Sequence, residues 1–389
     1  MKNFDFFNPV KILFGEGKIE QMSSELVYGK NILLTYGGGS IKQNGTYSRV
    51  MQSLKSFNVI EFGGIEANPK YETLLRGVRM AKEQKVDFIL AVGGGSVIDG
   101  SKFIAAAALY EGEEPWDILV KGVKVERAIP LGTVLTLPAT GSEMNAGAVI
   151  SRISTKEKYA FGSPAVFPKF SVLDPTITLS LPKKQIANGI VDAFVHVMEQ
   201  YLTCRTDSPI QDKFAEAILK TLIEVGPKTL ENPNDITYRA NFMWSCTMAL
   251  NGLLSTGVPT DWATHTIGHE LTAFFGIDHG ASLAVIYPAL MAEMAEFKQE
   301  KILQYGEQVF GIKNEGNKTM LVGKIIEKTE GFFRSLGVKT RLYEYEVTMD
   351  QVQPIIQRFK DRGWKLGEQK NITPEVVENI VKRTFKSIV

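Results

Sequence analysis

The sequence predicts an α/β domain built on a parallel sheet, followed by an all-helical domain. Three observations carry that expectation. In the first half, short apolar runs alternate with amphipathic stretches. Each of two such runs ends in a glycine-rich turn. Beyond Asp174-Pro175 the strand signals stop and helical periodicity takes over. Alternating β and α segments imply a parallel sheet covered on both faces. The expected division is 1–180 for the α/β domain and 181–389 for the helical one.

The elements follow in order. Residues 31–35 read as a buried strand, succeeded by Gly37-Gly38-Gly39-Ser40 and a helical pattern reaching about residue 55. Residues 58–62 form the next strand and 70–85 the next helix. Residues 87–92 are again a strand, ending in Gly93-Gly94-Gly95-Ser96, and 98–109 have helical spacing. Strands at 128–137, 148–152 and 170–173 complete this half. In the second half, Ser208-Pro209-Ile210-Gln211 has a capping-box form, and Thr373-Pro374-Glu375 marks another helix start.

Composition excludes several classes. Apolar residues make up 44% and charged residues 22%, an ordinary globular balance. A net charge of +1 gives no pull toward nucleic acid or an acidic membrane surface. The apolar stretches are too short and interrupted to span a bilayer, and residues 1–5 lack the form of a signal peptide. The two cysteines, Cys204 and Cys246, form no C-x-x-C pair. They read as reduced thiols, and a cytoplasmic location is expected.

Both glycine turns lie between a predicted strand and a predicted helix, where backbone N–H groups and the helix dipole favour a phosphate. Neither matches G-x-G-x-x-G or a P-loop. The second turn is the better pyrophosphate candidate. Ser96 offers a hydroxyl there, and Asp99 either fixes the loop or reaches a ribose. Thr136 to Glu143 clusters hydroxyls and glycine after another strand, where open α/β sheets bind ligands. The loop after strand 31–35 holds no carboxylate to bind ribose hydroxyls. Its small residues leave room for a 2′-phosphate, with Ser40 and Lys42 at hand. NADP(H) is the expected cofactor.

The four histidines all fall in the second half. Asp192 and His196 are four residues apart, as are His265 and His269, so each pair shares a helix face. Gly276 is expected to end the second helix, with Asp278-His279-Gly280 in the turn beyond. An Asp–His pair alone is most often an ordinary ion pair or a satisfied core histidine, and a lone His279 between Asp and Gly is most often a turn residue. Together they offer hard and borderline ligands suited to Fe(II), Zn(II), Mn(II) or Co(II). Spacing leaves the partition open. We assign Asp192, His196, His265 and His279 to one divalent ion and His269 to proton relay.

The motifs Gly-Gly-Gly-Ser-x-x-Asp at 93–99, Thr-Gly-Ser-Glu at 140–143, Asp-Ala-x-x-His at 192–196 and the His265/His269/His279 cluster resemble the iron-containing (group III) alcohol dehydrogenases. The resemblance runs over nearly the whole chain. It is strongest to the NADPH-dependent aldehyde reductase and butanol dehydrogenase branch. It implies a dehydroquinate synthase-like fold with the site in the cleft between domains, and the same four metal ligands. It also implies cofactor contacts at Gly37, Gly38, Gly39, Ser40, Asn68, Gly94, Gly95, Ser96, Asp99, Thr136, Thr140, Gly147, Lys158 and Thr178. Iron is the family's namesake metal, and zinc occurs in members of this kind.

The expected reaction is reduction of an aldehyde to a primary alcohol, with Trp262, Phe274 and Phe275 near the substrate. A small-molecule substrate and a homodimer are expected, with no nucleic-acid or membrane partner. The competing readings are a glycerol dehydrogenase or dehydroquinate synthase-like enzyme, or a non-redox nucleotide-binding protein. A cyclase needs basic residues for a phosphorylated substrate, and no dense Lys/Arg patch accompanies the metal residues.

Overall fold

The computed structural model describes residues 1–386. Its contacts define two units. One comprises Phe7–Pro182 with Pro233–Thr247. The other comprises Met1–Phe6, Lys183–Asn232 and the chain from Met248 onward. The chain passes from the first to the second at Pro182, against 180 in the sequence reading. That reading carried no signal that 1–6 and 233–247 group differently from their neighbours.

The first unit contains strands β1 (Lys11–Phe14), β2 (Asn31–Tyr36), β3 (Asn58–Phe62), β4 (Phe88–Gly94), β5 (Leu131–Leu137), β6 (Gly147–Arg152), β7 (Glu157–Gly162) and β8 (Phe170–Leu173). Six of them form a parallel sheet in the order β1-β8-β5-β4-β2-β3. Strands β6 and β7 pair antiparallel in a separate hairpin. Ile32, Leu33 and Leu34 of β2 and Ile89, Leu90 and Ala91 of β4 are fully buried. Burial on both faces explains their unbroken apolar runs. The helix Gly95–Ala108 is buried along all but one position, which its small residues permit.

Strands β1 and β7 were not expected. β1 is a four-residue edge strand, and β7 is a partly exposed strand of a two-stranded hairpin, so neither carries a buried apolar run. The helix expected through about residue 55 is broken into Ser40–Gln43 and Thr46–Ser53. Gly45 between them takes a left-handed conformation (φ 81°), which no helix can pass through. The strand expected at 128–137 begins only at Leu131.

The second unit is helical, as the sequence predicts. Its longest helices are Lys183–Tyr201 and Pro209–Glu231, and Ala263–Phe275 and His279–Glu293 follow. Pro209 opens its helix, but the Ser208 side chain makes no cap bond. The capping box fails because Gln211 donates instead to the Leu253 carbonyl at 2.6 Å. Gly276 ends helix Ala263–Phe275 in a left-handed conformation (φ 68°), as expected. His279 is not in a turn: it is the first residue of helix His279–Glu293, with Asp278 at the N-cap. Among the described residues no helix is long and apolar enough to cross a membrane.

Gly280 sets how closely that helix approaches helix Lys183–Tyr201. A Cβ there would sit 2.2 Å from the Asn188 carbonyl oxygen, and backbone cannot yield. Gly280→Ala is expected to destabilise the protein by about 1–3 kcal/mol through overpacking and to displace the adjacent His279. Denaturant unfolding checks this, and an unchanged midpoint would contradict it.

Candidate functional site

Two chemical centres emerge, one in each unit. In the α/β unit, β2 leads outward to β3 while β4 leads the other way to β5. The strand order therefore reverses between β2 and β4, which are paired with Tyr36 beside Val92. Both glycine turns leave the carboxyl ends of these two strands. That is the position at which open α/β sheets bind nucleotides.

The second turn is built for close approach. Gly94 precedes helix Gly95–Ala108, and a Cβ on Gly95 would lie 2.4 Å from Thr140 Oγ1. Ser96 Oγ accepts from the Asn68 N–H at 3.2 Å, and Lys158 Nζ donates to Asn68 Oδ1 at 2.9 Å. Asn68, Gly95, Ser96, Thr140 and Lys158 are thus linked around one helix start. At the first turn, a Cβ on Gly38 would meet nothing within 4 Å. Lys42 lies 3.0 Å from Glu61 and stacks over the Tyr36 and Tyr47 rings.

Other expected contacts have internal roles. Asp99 is buried, accepting from Ser142 Oγ at 2.6 Å and the Val149 N–H at 2.9 Å. These bonds tie the helix start to the loop at 142–149. Thr178 is fully buried, and its hydroxyl donates to the Pro175 carbonyl at 2.7 Å. Thr136 is part-buried at the end of β5.

Sequence reading missed Lys102, which organises this loop. Its side chain is fully buried. Its ammonium has oxygens of Ser142, Asn145 and Gly147 within 2.7–3.1 Å. Burial disfavours each charge here, raising the Asp99 and Glu143 carboxyls and drawing Lys102 down to about 8. Its signal was the spacing Asp99-x-x-Lys102, one helical turn. Lys102→Met removes the donor from several buried acceptors. It is expected to cost roughly 3 kcal/mol of stability and to weaken NADPH binding. Urea unfolding with fluorescence titration of NADPH tests both, and parent-like values would refute the role.

The helical unit gathers the acid and the imidazoles. Asp192 and His196 lie one turn apart on helix Lys183–Tyr201, His265 and His269 on helix Ala263–Phe275, and His279 opens the next helix. Asp192 Oδ1 is 3.6 Å from His196 Nε2, 3.7 Å from His265 Nε2 and 3.4 Å from His279 Nε2. Ligands at about 2.0–2.2 Å from a tetrahedral ion stand about 3.4 Å apart. Ligand atoms of Asp192, His265 and His279 all lie within 4.8 Å of one another. Asp192 Oδ1 and His265 Nε2 are buried and make no hydrogen bond. Unmet buried atoms of this kind call for a cation. His269 lies one turn beyond His265, its imidazole 5.3 Å from that of His279.

The electrostatics agree. Burial opposes the Asp192 charge, but His196, His279 and His265 hold its carboxyl below the usual range. Burial pushes His196 down to about 4, though Asp192 opposes it. Burial also opposes charge on His265, but Glu199 and Asp192 outweigh it and raise the ring to about 9. Glu199 was not anticipated. It lies seven residues beyond Asp192, on the same helix face, which is the signal that was available.

Of the apolar candidates, Trp262 lies against the imidazoles, 5.3 Å from the His265 ring. Phe274 is covered instead by Arg358. Below pH 9 an incoming ion has to displace a proton from His265. Metal affinity is therefore expected to rise with pH up to about 9, with proton release on binding at neutral pH. Chelator competition across pH measures this, and a flat profile would contradict it.

A parallel α/β unit with paired glycine turns, followed by a helical unit with an Asp–His cluster, is a dehydroquinate synthase-like fold. Residues 9–175 match the iron-containing alcohol dehydrogenase family, and residues 186–385 match the C-terminal domain of Fe-containing alcohol dehydrogenases. The chain belongs to the iron-containing alcohol dehydrogenase family. It is 51% identical to the NADPH-dependent aldehyde reductase YqhD of Escherichia coli (strain K12), over 98% of this chain and 99% of that one. It is 43% identical to the probable NADH-dependent butanol dehydrogenase 1 of Bacillus subtilis (strain 168), over 99% and 100%. The crystal structure of E. coli K-12 YqhD superposes with a TM-score of 0.96 at 50% identity, covering 98% of this chain and 99% of that one.

Proposed function

We propose that the protein is a metal-dependent aldehyde reductase that converts aldehydes to primary alcohols with NADPH. The observation that carries this is the ring of three imidazole nitrogens around the buried Asp192 oxygen. Asp192, His196, His265 and His279 hold one divalent ion, Fe(II) or Zn(II), whose donor set of one carboxylate and three imidazoles fits either. When bound, the ion supplies Lewis-acid polarisation of a carbonyl and the nicotinamide supplies hydride.

The chain's own residues do the rest. The Gly94–Ser96 turn, Asn68, Thr140 and Lys158 cradle the pyrophosphate. Lys102 and Asp99 keep the loop at 142–149 in place behind it. His269, beside the His279 ring, delivers the proton that the new alcohol oxygen requires. One aldehyde, one NADPH and one proton give one alcohol and NADP⁺. Trp262 presents an apolar wall next to the imidazoles.

The preference for NADPH rests on the first turn. Relatives divide on this point: YqhD is NADPH-dependent, whereas the butanol dehydrogenase is described as probably NADH-dependent. A Cβ at Gly38 meets nothing within 4 Å, which leaves the turn open beside the position proposed for the 2′-phosphate. Gly38→Asp is expected to weaken NADPH at least about tenfold more than NADH, because a carboxylate there repels the phosphate. Equal losses in kcat/KM would contradict the assignment.

Activity is tested by loss of NADPH absorbance with butanal, after chelation and after return of Fe(II) or Zn(II). Turnover is expected only with metal, and turnover that survives complete chelation would overturn the reading. His265→Ala should lose the ion. His269→Ala should keep it and turn over about 10²–10⁴-fold more slowly.

A further inference from the structure

Helix Ala263–Phe275 starts after Trp262, whose own side chain makes no cap bond. Its first N–H groups have no partners within the helix and need outside acceptors. Ala263 N–H donates to Asp261 Oδ1 at 2.9 Å. The next two are met from another helix. Glu199, on helix Lys183–Tyr201, accepts from the Thr264 N–H at 2.5 Å and the His265 N–H at 3.2 Å. Its backbone carbonyl accepts from the Asp261 N–H at 2.9 Å. The same carboxylate also meets the His265 Nδ1. Glu199 is only 2% exposed, so no water shell competes for these bonds.

We infer that Glu199 is a positioning residue that fixes His265 in the Nδ1–H tautomer and aims its Nε2 lone pair at the ion beside Asp192. Two backbone N–H donors and the His265 Nδ1 converge on the two Glu199 oxygens, and a carboxylate offers only acceptors. Nδ1 therefore keeps its proton in the charged and the neutral ring alike, so the proton that an ion displaces is the one on Nε2, 3.7 Å from Asp192 Oδ1. The peptide N–H bonds lock helix and ring to the same carboxylate, so the ring cannot turn independently of the helix start. Helix Lys183–Tyr201 thereby supplies Asp192 and His196 as ligands and also steers His265, which belongs to another helix. Carboxylates paired with ligating histidines commonly act in this way. The inference rests on the metal reading above.

Glu199→Gln separates orientation from helix capping. An amide has one acceptor oxygen, so its NH₂ must face at least one of the three donors. The ring then relieves the conflict by moving its proton to Nε2, which blocks ligation. Competition of the full-length protein with a chelator for Zn(II), and anaerobically for Fe(II), gives the affinity. The variant is expected to bind about 10–100-fold more weakly, with NADPH affinity within about twofold of the parent. Metal affinity within twofold of the parent, with only the metal-free melting temperature lowered, would make Glu199 a helix cap and overturn the inference. Should the variant not fold, ¹⁵N-histidine NMR of the Zn(II)-loaded parent decides. Protonation of His265 at Nδ1 supports the inference, and protonation at Nε2 overturns it. A parent that binds neither ion would instead remove the metal reading, which is a distinct outcome.

Discussion

Asp192 is the constraint on which the helical unit turns. A carboxylate oxygen with no hydrogen bond, buried inside a helix, is costly by several kcal/mol unless a positive charge meets it. Three imidazole nitrogens face it at 3.4–3.7 Å, too far for good hydrogen bonds and close to the separation that a shared ion imposes. In the absence of an ion, the unit compensates by retaining a proton on His265. Folding thus brings one carboxylate and three imidazoles together, and the proton on His265 balances the Asp192 charge when no ion is bound. The helices that build it are long, buried and closely packed, with Gly280 admitting the backbone of Asn188 at short range. That rigidity suits a Lewis-acid centre, which depends on ligands being held before substrate arrives.

The α/β unit solves a different problem. It must present backbone N–H groups at the end of a sheet whose interior is mostly apolar, with Thr35, Thr133 and Ser171 buried in hydrogen bonds. Two neighbouring strands run directly into glycine turns, and the helix after β4 begins without a side chain in the way. The loop that completes this surface is stabilised from beneath by a buried ammonium and a buried carboxylate, Lys102 and Asp99. Charge buried under a polar loop is expensive, and it is tolerated here because the Lys102 ammonium meets several oxygens and each Asp99 oxygen accepts a hydrogen bond.

Much of this was legible in the sequence. Apolar runs gave β2, β4, β5 and β8, which are largely buried, and β3 was legible as well although it is a part-exposed edge strand. The i,i+4 spacing gave Asp192 with His196, because helical geometry is local. The partition among histidines was not local. His279 reads as a turn residue between aspartate and glycine, and only tertiary packing shows that it opens a helix facing Asp192. Glu199 and Lys102 were overlooked for the same reason: each lies on a recognised helix, but its partners are 40 to 66 residues away. Strands β1 and β7 lack a buried apolar run, and the break at Gly45 depends on a left-handed backbone that a glycine permits but does not demand.

The central claim is that one ion sits among Asp192, His196, His265 and His279. Anomalous diffraction at the iron edge, from crystals of Fe(II)-loaded protein, tests it most directly. The account predicts a single strong peak about 2.0–2.3 Å from Asp192 Oδ1 and the three Nε2 atoms. A peak bound through other residues, or none in fully loaded crystals, would contradict it.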